Sequence, residues 1–501
     1  MTSLRVRPGF WLAAVWLFTA AGIHAEVKKE RTNLIVTVAS AAEERRPNIL
    51  FFLTDDESWL ERSAYGWSKL PTPAFDRVAE QGTLFMNGFA TAPSCGPARA
   101  SVLTGRHFWQ NEQGGFIQGF IPKEVPVVTR LLMADGYQVG RTGKGWGPGS
   151  HAKLGIPSGS LGKVFMSEKL VDPPEGLNGT DYAANFDRFL DWRDEKKPFF
   201  FWAGVIEPHE PSGKENHVLL EKEFGVTLDQ VSLPPFTEGT LGNRRKRARF
   251  VYEICCADTH LDRMLKSLEA AGELDNTLVV VSSDNGTAIL SEGQHRGKAS
   301  PYDFGVHVPL AMMWPAGMKP GRKVTDFVSF ADLAPTFLEM AGLEVPDSMT
   351  GRSLLPILES EKSGRIEAQR DFIMTGLEWH GEFDPASRSS RSIRDDRFSY
   401  VVRYPNVDAQ GNPLDNEALM KPSKIEFYDL KADPWELNNL VDDPKFAAEK
   451  KRLADKMKKF SIESGDPRVT GEMDLFRKTR QYVQKRKRMG YKKSASLPFD
   501  E

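Results

Sequence analysis

The run Asn48-Ile49-Leu50-Phe51-Phe52-Leu53 carries five apolar side chains in succession, without the polar alternation of a strand that faces water on one side. Such a run predicts a short strand buried on both faces. Phe199-Phe200-Phe201-Trp202-Ala203-Gly204-Val205 and Thr277-Leu278-Val279-Val280-Val281 repeat the pattern. Helical spacing lies between these runs. Phe75, Val78 and Ala79 follow the entry Pro71-Thr72-Pro73, and a longer helical pattern extends from Arg244 to Ala270. Strands alternating with helices predict an α/β fold, a mostly parallel sheet sandwiched by helices.

The texture changes after about residue 365. Short strand patterns at Asp371 to Thr375, Phe398 to Tyr404 and Ile425 to Asp429 precede one amphipathic helix, Pro444 to Ser464. They predict a smaller C-terminal subdomain, an antiparallel sheet with a helix packed on it. At the other end, Arg5 and Arg7 precede the apolar run Phe10 to Ile23, and Ala25 or Ala21 suits a cleavage position. This is a signal-peptide pattern, short for a transmembrane helix, with an uncleaved anchor as the alternative. The chain therefore divides into a signal peptide (1–25), a charged linker (26–46), a catalytic domain (47–365), the C-terminal subdomain (366–465) and a basic tail (466–501). The tail, with Lys485-Arg486-Lys487-Arg488, reads as a solvated end. The leader implies export: to a periplasm or the exterior, or to a lysosome in a eukaryote, with no stable membrane span after cleavage.

Charge narrows the partners. The 501 residues include 66 basic and 68 acidic side chains, so no bulk field points to nucleic acid or a membrane surface. Attraction for an anion must be local. Three cysteines build no disulfide framework, and the adjacent Cys255 and Cys256 fall in the long helical pattern as packing residues.

Two acidic pairs directly follow predicted strands: Asp55-Asp56 after the first, and Asp284-Asn285 after Thr277 to Val281. In open α/β sheets ligands bind outside the carboxyl ends of strands, so both pairs can converge on one hard cation. Three carboxylates and an amide oxygen suit calcium better than zinc. Either pair alone would equally fit a helix N-cap. Between them lies Cys95-Gly96-Pro97-Ala98-Arg99, followed by the small and apolar Ala100-Ser101-Val102-Leu103. Cys95 is thus expected where a loop enters a helix, a place whose backbone N–H groups favour an anion. A lone cysteine there would be an ordinary small buried residue.

The run C-x-P-x-R at Cys95, Pro97 and Arg99 resembles the signature of the type I sulfatases, within the alkaline phosphatase superfamily. The resemblance implies that a formylglycine-generating enzyme oxidises Cys95 to Cα-formylglycine, whose hydrate attacks the sulfur of a sulfate ester or sulfamate. It implies that Asp55, Asp56, Asp284 and Asn285 hold one calcium ion, with the converted Cys95 as a further ligand. Arg99 would fix the hydrate. Lys144 in Gly143-Lys144 and Lys298 in Gly297-Lys298 match cationic positions that grip sulfate. His209, in Glu207-Pro208-His209, is the candidate general acid, since imidazole titrates near working pH.

One position departs from the pattern. Where the family carries a histidine two places beyond the Gly-Lys lysine, this chain has Trp146. His151 or His107 could replace it, or turnover is slow or lost. Within the family the chain resembles the heparan N-sulfatase group, through Glu207-Pro208-His209-Glu210-Pro211 and the stretch around His380 and Arg391-Ser392-Ile393-Arg394. That likeness implies that His380 and Arg391 contact a sugar or its carboxylate. Phe427-Tyr428-Asp429-Leu430 to Asn438-Asn439-Leu440 resembles a stretch common in sulfatase C-terminal subdomains. The implied activity is hydrolysis of sulfated carbohydrate. Cleavage of phosphodiesters or phosphonate monoesters, and non-catalytic binding of sulfated glycan, are the alternatives.

Overall fold

The computed structural model describes residues 46–474 apart from 118, 148, 150–154, 291–295, 379–388, 409, 411 and 413. The expected signal peptide, all of the linker but its last residue, His151, His380 and the basic run 485–493 lie outside the described residues.

The first strand, β1 (Asn48–Thr54), is buried along its whole length. Ile49, Phe51 and Leu53 enter one hydrophobic core while Leu50 and Phe52 enter another. The period-two geometry of a strand thus divides one unbroken apolar run between two cores. Each such side chain contributes roughly 1.5–3 kcal/mol by leaving water. β2 (Thr83–Phe89), β3 (Gln138–Gly143), β4 (Lys163–Val164), β5 (Phe199–Gly204), β6 (Thr277–Ser283), β7 (Leu310–Met313) and β8 (Arg322–Ser329) complete the sheet. Its order is β4-β3-β5-β1-β6-β7-β2-β8. Pairing is parallel except at β7, which runs antiparallel to both β6 and β2. Two reversals cancel, so β1, β2, β3, β5 and β6 all end on the same edge of the sheet.

Helices cover both faces. Pro73–Glu80, Tyr182–Trp192 and Leu241–Ala270 pack into the core containing Phe52, and Cys95–Thr104, Val128–Ala134 and Leu333–Met340 into the core containing Phe51. The long helix begins three residues before the predicted Arg244, because the Thr240 side chain accepts a hydrogen bond from Asn243 N.

A second sheet, ordered β12-β11-β10-β9 and antiparallel throughout, comprises β9 (Phe372–Leu377), β10 (Ser390–Asp395), β11 (Phe398–Arg403) and β12 (Lys424–Asp429). Helix Ala447–Glu463, entered through the turn Pro444–Phe446, lays Leu453 and Met457 on it, in a core shared with Phe108 and Trp109. The tail expected from residue 466 is not solvated at its start. Asp466 and Arg468 are buried, because Asp466 pairs with Arg391 and Arg468 with Glu378.

Candidate active site

Five strand ends deliver the expected residues. Asp55 and Asp56 follow β1, and Asp284 and Asn285 follow β6. Lys144 follows β3, His209 lies beyond β5, and Cys95 opens the helix that follows β2. Cys95 Sγ lies 3.4 Å from Asp55 Oδ1 and 4.0 Å from Asp56 Oδ1. Single ligand atoms of Asp55, Asp56, Cys95 and His209 all lie within 4.8 Å of one another. Asp284 joins them, its Oδ1 accepting from Asp56 N at 3.2 Å.

Cations surround this acidic group. Arg99 donates through Nε to Asp284 Oδ2 at 2.7 Å, and through Nη1 to the carbonyls of Lys144 and Gly145 at 2.9 and 3.2 Å. Lys144 donates to Asp55, with Asp284 Oδ2 3.7 Å away. Lys298 Nζ lies 2.6 and 2.7 Å from the two oxygens of Asp56. Three carboxylates therefore meet three permanent cations. His209 approaches from the solvent side, its side chain 39 % exposed and its Nε2 3.7 Å from Asp56 Oδ2.

Local backbone makes this convergence possible. Gly143 turns at φ +63°, and a Cβ there would stand 2.1 Å from Gly204 O; a Cβ on Gly204 would stand 1.7 Å from Lys144 O. Glycine at both positions lets the ends of β3 and β5 close up, so that Lys144 N donates to Gly204 O at 2.7 Å. Asp56 holds φ 76° without being glycine, a conformation that costs about 1–2 kcal/mol and is kept only where surroundings enforce it.

The enforcing contacts were not foreseen from the motifs. Glu57 N donates to Ser283 Oγ at 2.9 Å, and Asp284 N to Thr54 O at 3.1 Å. Ser58 and Thr287 exchange hydrogen bonds, Ser58 N to Thr287 Oγ1 at 3.1 Å and Thr287 N to Ser58 Oγ at 2.9 Å. Buried Glu57 pairs with Arg62, which reaches Asp258 at 2.9 Å. Asp258 in turn accepts from Ala74 N and Phe75 N, capping helix Pro73–Glu80. Polar residues beside each acidic pair (Glu57-Ser58 and Ser282-Ser283) were the available signal. Glu207 adds a strut: its carbonyl accepts from Asp55 N at 3.3 Å, while its carboxylate accepts from Asn178 N and the Tyr182 hydroxyl.

Burial would raise the Asp55 carboxyl, but Lys144, Arg99 and Lys298 together outweigh it and hold the group below the usual carboxylate range. Burial, then Asp284 and Asp55, pushes the Cys95 thiol far up. A thiol kept protonated is a poor nucleophile. For Lys144 and Lys298 burial opposes the charge, yet the anionic groups around them raise both above an ordinary lysine.

The oxygen-rich donor set fits a hard dication. Asn285 Nδ2 donates to Asp56 Oδ1 at 2.8 Å and to Asp284 Oδ1 at 2.5 Å, while its own Oδ1 is buried with no partner. Turning that amide would set an acceptor against carboxylates, which becomes favourable once a cation lies among them.

Other expected residues lie elsewhere. Trp146 is buried in the core that contains Phe51. His107, a candidate replacement for the missing histidine, stacks on Trp109 at 4.7 Å and meets Phe460 edge-on at 5.2 Å, where burial pushes it down to about 4. It packs in the core of the smaller sheet instead of joining the acidic group. Arg391, expected against a sugar, is fully buried, with Nε and Nη2 on Asp466 at 2.6 and 2.7 Å and Nη2 2.8 Å from Glu378. Its guanidinium is spent on a structural ion pair. Sequence reading missed this because Asp466 seemed to belong to the tail.

Comparison with known proteins follows the same lines. A family model described as sulfatase matches residues 47–343, and one described as the C-terminal region of N-sulphoglucosamine sulphohydrolase matches 294–463. An ulvan-active sulfatase of Formosa agariphila is 28 % identical, over 85 % of this chain and 82 % of that protein. The N-sulphoglucosamine sulphohydrolase of Homo sapiens is also 28 % identical, over 85 % and 92 %. A solved structure in complex with its substrate D-glucosamine-2-N,6-O-disulfate superposes with TM-score 0.66 at 22 % identity, covering 84 % of this chain and 98 % of that one.

Proposed function

Because the chain belongs to the sulfatase family of sulfuric ester hydrolases, we propose that it is an exported enzyme that removes sulfate from sulfated carbohydrate, N-sulfated glucosamine among the candidates, using a formylglycine derived from Cys95 and one calcium ion. The observation that carries the reading is the position of Cys95: first residue of a buried helix, with Sγ 3.4 Å from Asp55 and its thiol held protonated by burial and carboxylates. The carbohydrate follows from the relatives' names and from the match to an N-sulphoglucosamine sulphohydrolase C-terminal region.

Asp55, Asp56, Asp284 and Asn285 would hold the calcium. When present, calcium and the hydrated formylglycine supply a polarised sulfate oxygen and an oxygen nucleophile. The remaining chemistry belongs to the chain. Without a dication Lys144 and Lys298 serve as counter-ions to Asp55 and Asp56. Carboxylates engaged by a dication leave the two ammonium groups as surplus positive charge for an oxyanion. Arg99, fixed by Asp284 and two carbonyls, holds its positive charge close to residue 95. His209 is the histidine that faces the cluster among the described residues, and its exposure lets it protonate a departing sugar oxygen or nitrogen.

The test is expression together with a formylglycine-generating enzyme, mass analysis of the peptide containing residue 95, and assays on N- and O-sulfated glucosamines beside an aryl phosphodiester. Conversion of Cys95 should accompany sulfate release, and Cys95→Ala should abolish both. Hydrolysis by Cys95→Ala protein, or a preference for the phosphodiester, would overturn the proposal.

A further inference from the structure

Two loops supply the acidic pairs, Asp55-Asp56 after β1 and Asp284-Asn285 after β6. Across them Asn285 Nδ2 donates to Asp56 Oδ1 at 2.8 Å, and Asp56 N to Asp284 Oδ1 at 3.2 Å. Carboxylates this close repel one another. How such ligands are spaced and oriented depends on the groups that hold them from outside.

Glu61 is such a group. It closes the short turn Trp59–Glu61 and is fully buried. Its Oε1 accepts from the Thr287 hydroxyl at 2.8 Å and from Arg247 Nη1 at 2.9 Å, and its Oε2 accepts from Arg247 Nη2. Thr287 stands two residues beyond Asn285, and Ser58 two beyond Asp56. The single hydroxyl proton of Thr287 goes to Glu61, so a lone pair is turned to Ser58 N at 3.1 Å. Thr287 N returns a bond to Ser58 Oγ at 2.9 Å. One carboxylate therefore orients the hydroxyl that ties the two loops together.

The anchor lies outside both loops. Arg247 is buried on helix Leu241–Ala270, its guanidinium 5.5 Å from the Trp67 ring centroid and 5.4 Å from that of Phe250, and its Nε donates to Ser232 O at 3.2 Å. Pairing with Arg247 lets Glu61 act as an acceptor while its charge is offset. About three turns further along the same helix, Asp258 takes Arg62 at 2.9 Å. The chain just beyond Asp56 is thus held against one helix at two points.

We propose that Glu61 is a positioning residue for the calcium site: through Thr287 and Ser58 it fixes the spacing of the two acidic pairs, with Arg247 as its anchor. This rests on the calcium reading above and extends it to a side chain that bonds Thr287 and Arg247 instead of the acidic residues it places.

Calcium titration of metal-stripped protein by calorimetry compares the unmutated chain with Thr287→Val, Thr287→Ser and Glu61→Asp. Thr287→Val removes the hydroxyl and leaves the Glu61–Arg247 pair intact. Glu61→Asp keeps a charge for Arg247 but draws the carboxylate back by one methylene. Each should raise the calcium dissociation constant about tenfold. Thr287→Ser, which keeps the hydroxyl, should bind as the unmutated chain does. A role in stability alone would lower the metal-free melting temperature and leave the dissociation constants equal, which overturns the proposal. Equal loss in Thr287→Ser and Thr287→Val overturns it too. Should Glu61→Asp fail to fold, Thr287→Val decides by itself. An unmutated chain that binds no calcium would sink the calcium reading and this proposal together, whereas binding of equal strength in all the proteins sinks the proposal alone.

Discussion

At the scale of single residues, the site is a balance of opposite charges. Asp55, Asp56 and Asp284 are matched by Lys144, Lys298 and Arg99, and the one acceptor left unmet is Asn285 Oδ1. If Asn285 is a calcium ligand, Asn285→Ala should weaken calcium binding by at least about tenfold, on the order expected for disturbing a metal's surroundings. Calorimetric titration of metal-stripped protein with calcium checks this, and equal affinity in both proteins would remove Asn285 from the ligand set. Most of this constellation was legible in the chain: Asp55, Asp56, Asp284 and Asn285 stand directly after apolar runs, and such runs end as strands. Glu57, Ser58, Ser283 and Thr287 were not. Their bonds cross some 226 to 229 residues, and no local pattern specifies which Ser or Thr meets which N–H.

At the scale of elements, β10 is the instructive case. Ser390-Arg391-Ser392-Ile393-Arg394-Asp395 has one apolar side chain, yet it is a central strand of the smaller sheet. Buried carboxylates neutralise its arginines: Asp466 and Glu378 for Arg391, and Asp303 for Arg394. Hydrophobic periodicity cannot report a strand whose burial is secured by ion pairs. Arg391→Met would leave Asp466 buried with no Arg391 and Glu378 with Arg468 alone, at a cost of about 3–5 kcal/mol. Urea unfolding should show the midpoint falling accordingly, whereas a drop confined to sugar affinity would restore Arg391 to substrate recognition.

At the scale of the whole molecule, the two sheets are joined through a core that holds Phe108 and Trp109 together with Ile393, Phe427 and Leu453. His107 packs there against Trp109 and Phe460, and burial lowers it from 6.5 to about 4. Below its unfolded value the unfolded chain binds the extra proton first, so stability is full above about pH 6.5 and is lost as pH falls toward 4. The group accounts for roughly 3 kcal/mol across that window. His107→Phe should flatten the decline in melting temperature between pH 6.5 and 4; an unchanged slope would show that His107 does not set it.

Taken alone, the chain determined its strand-helix alternation, the acidic pairs at strand ends and the cysteine at a helix entry, because period and adjacency are local properties. Tertiary structure alone decided that β7 would run against its neighbours and that Asp466 would pair with Arg391. It also decided that Trp146 and His107 would be packing residues. A guanidinium or an imidazole has the same chemistry everywhere along a sequence. Whether it meets an anion, a ring or a substrate depends on what long-range packing sets beside it and on how much water that packing excludes.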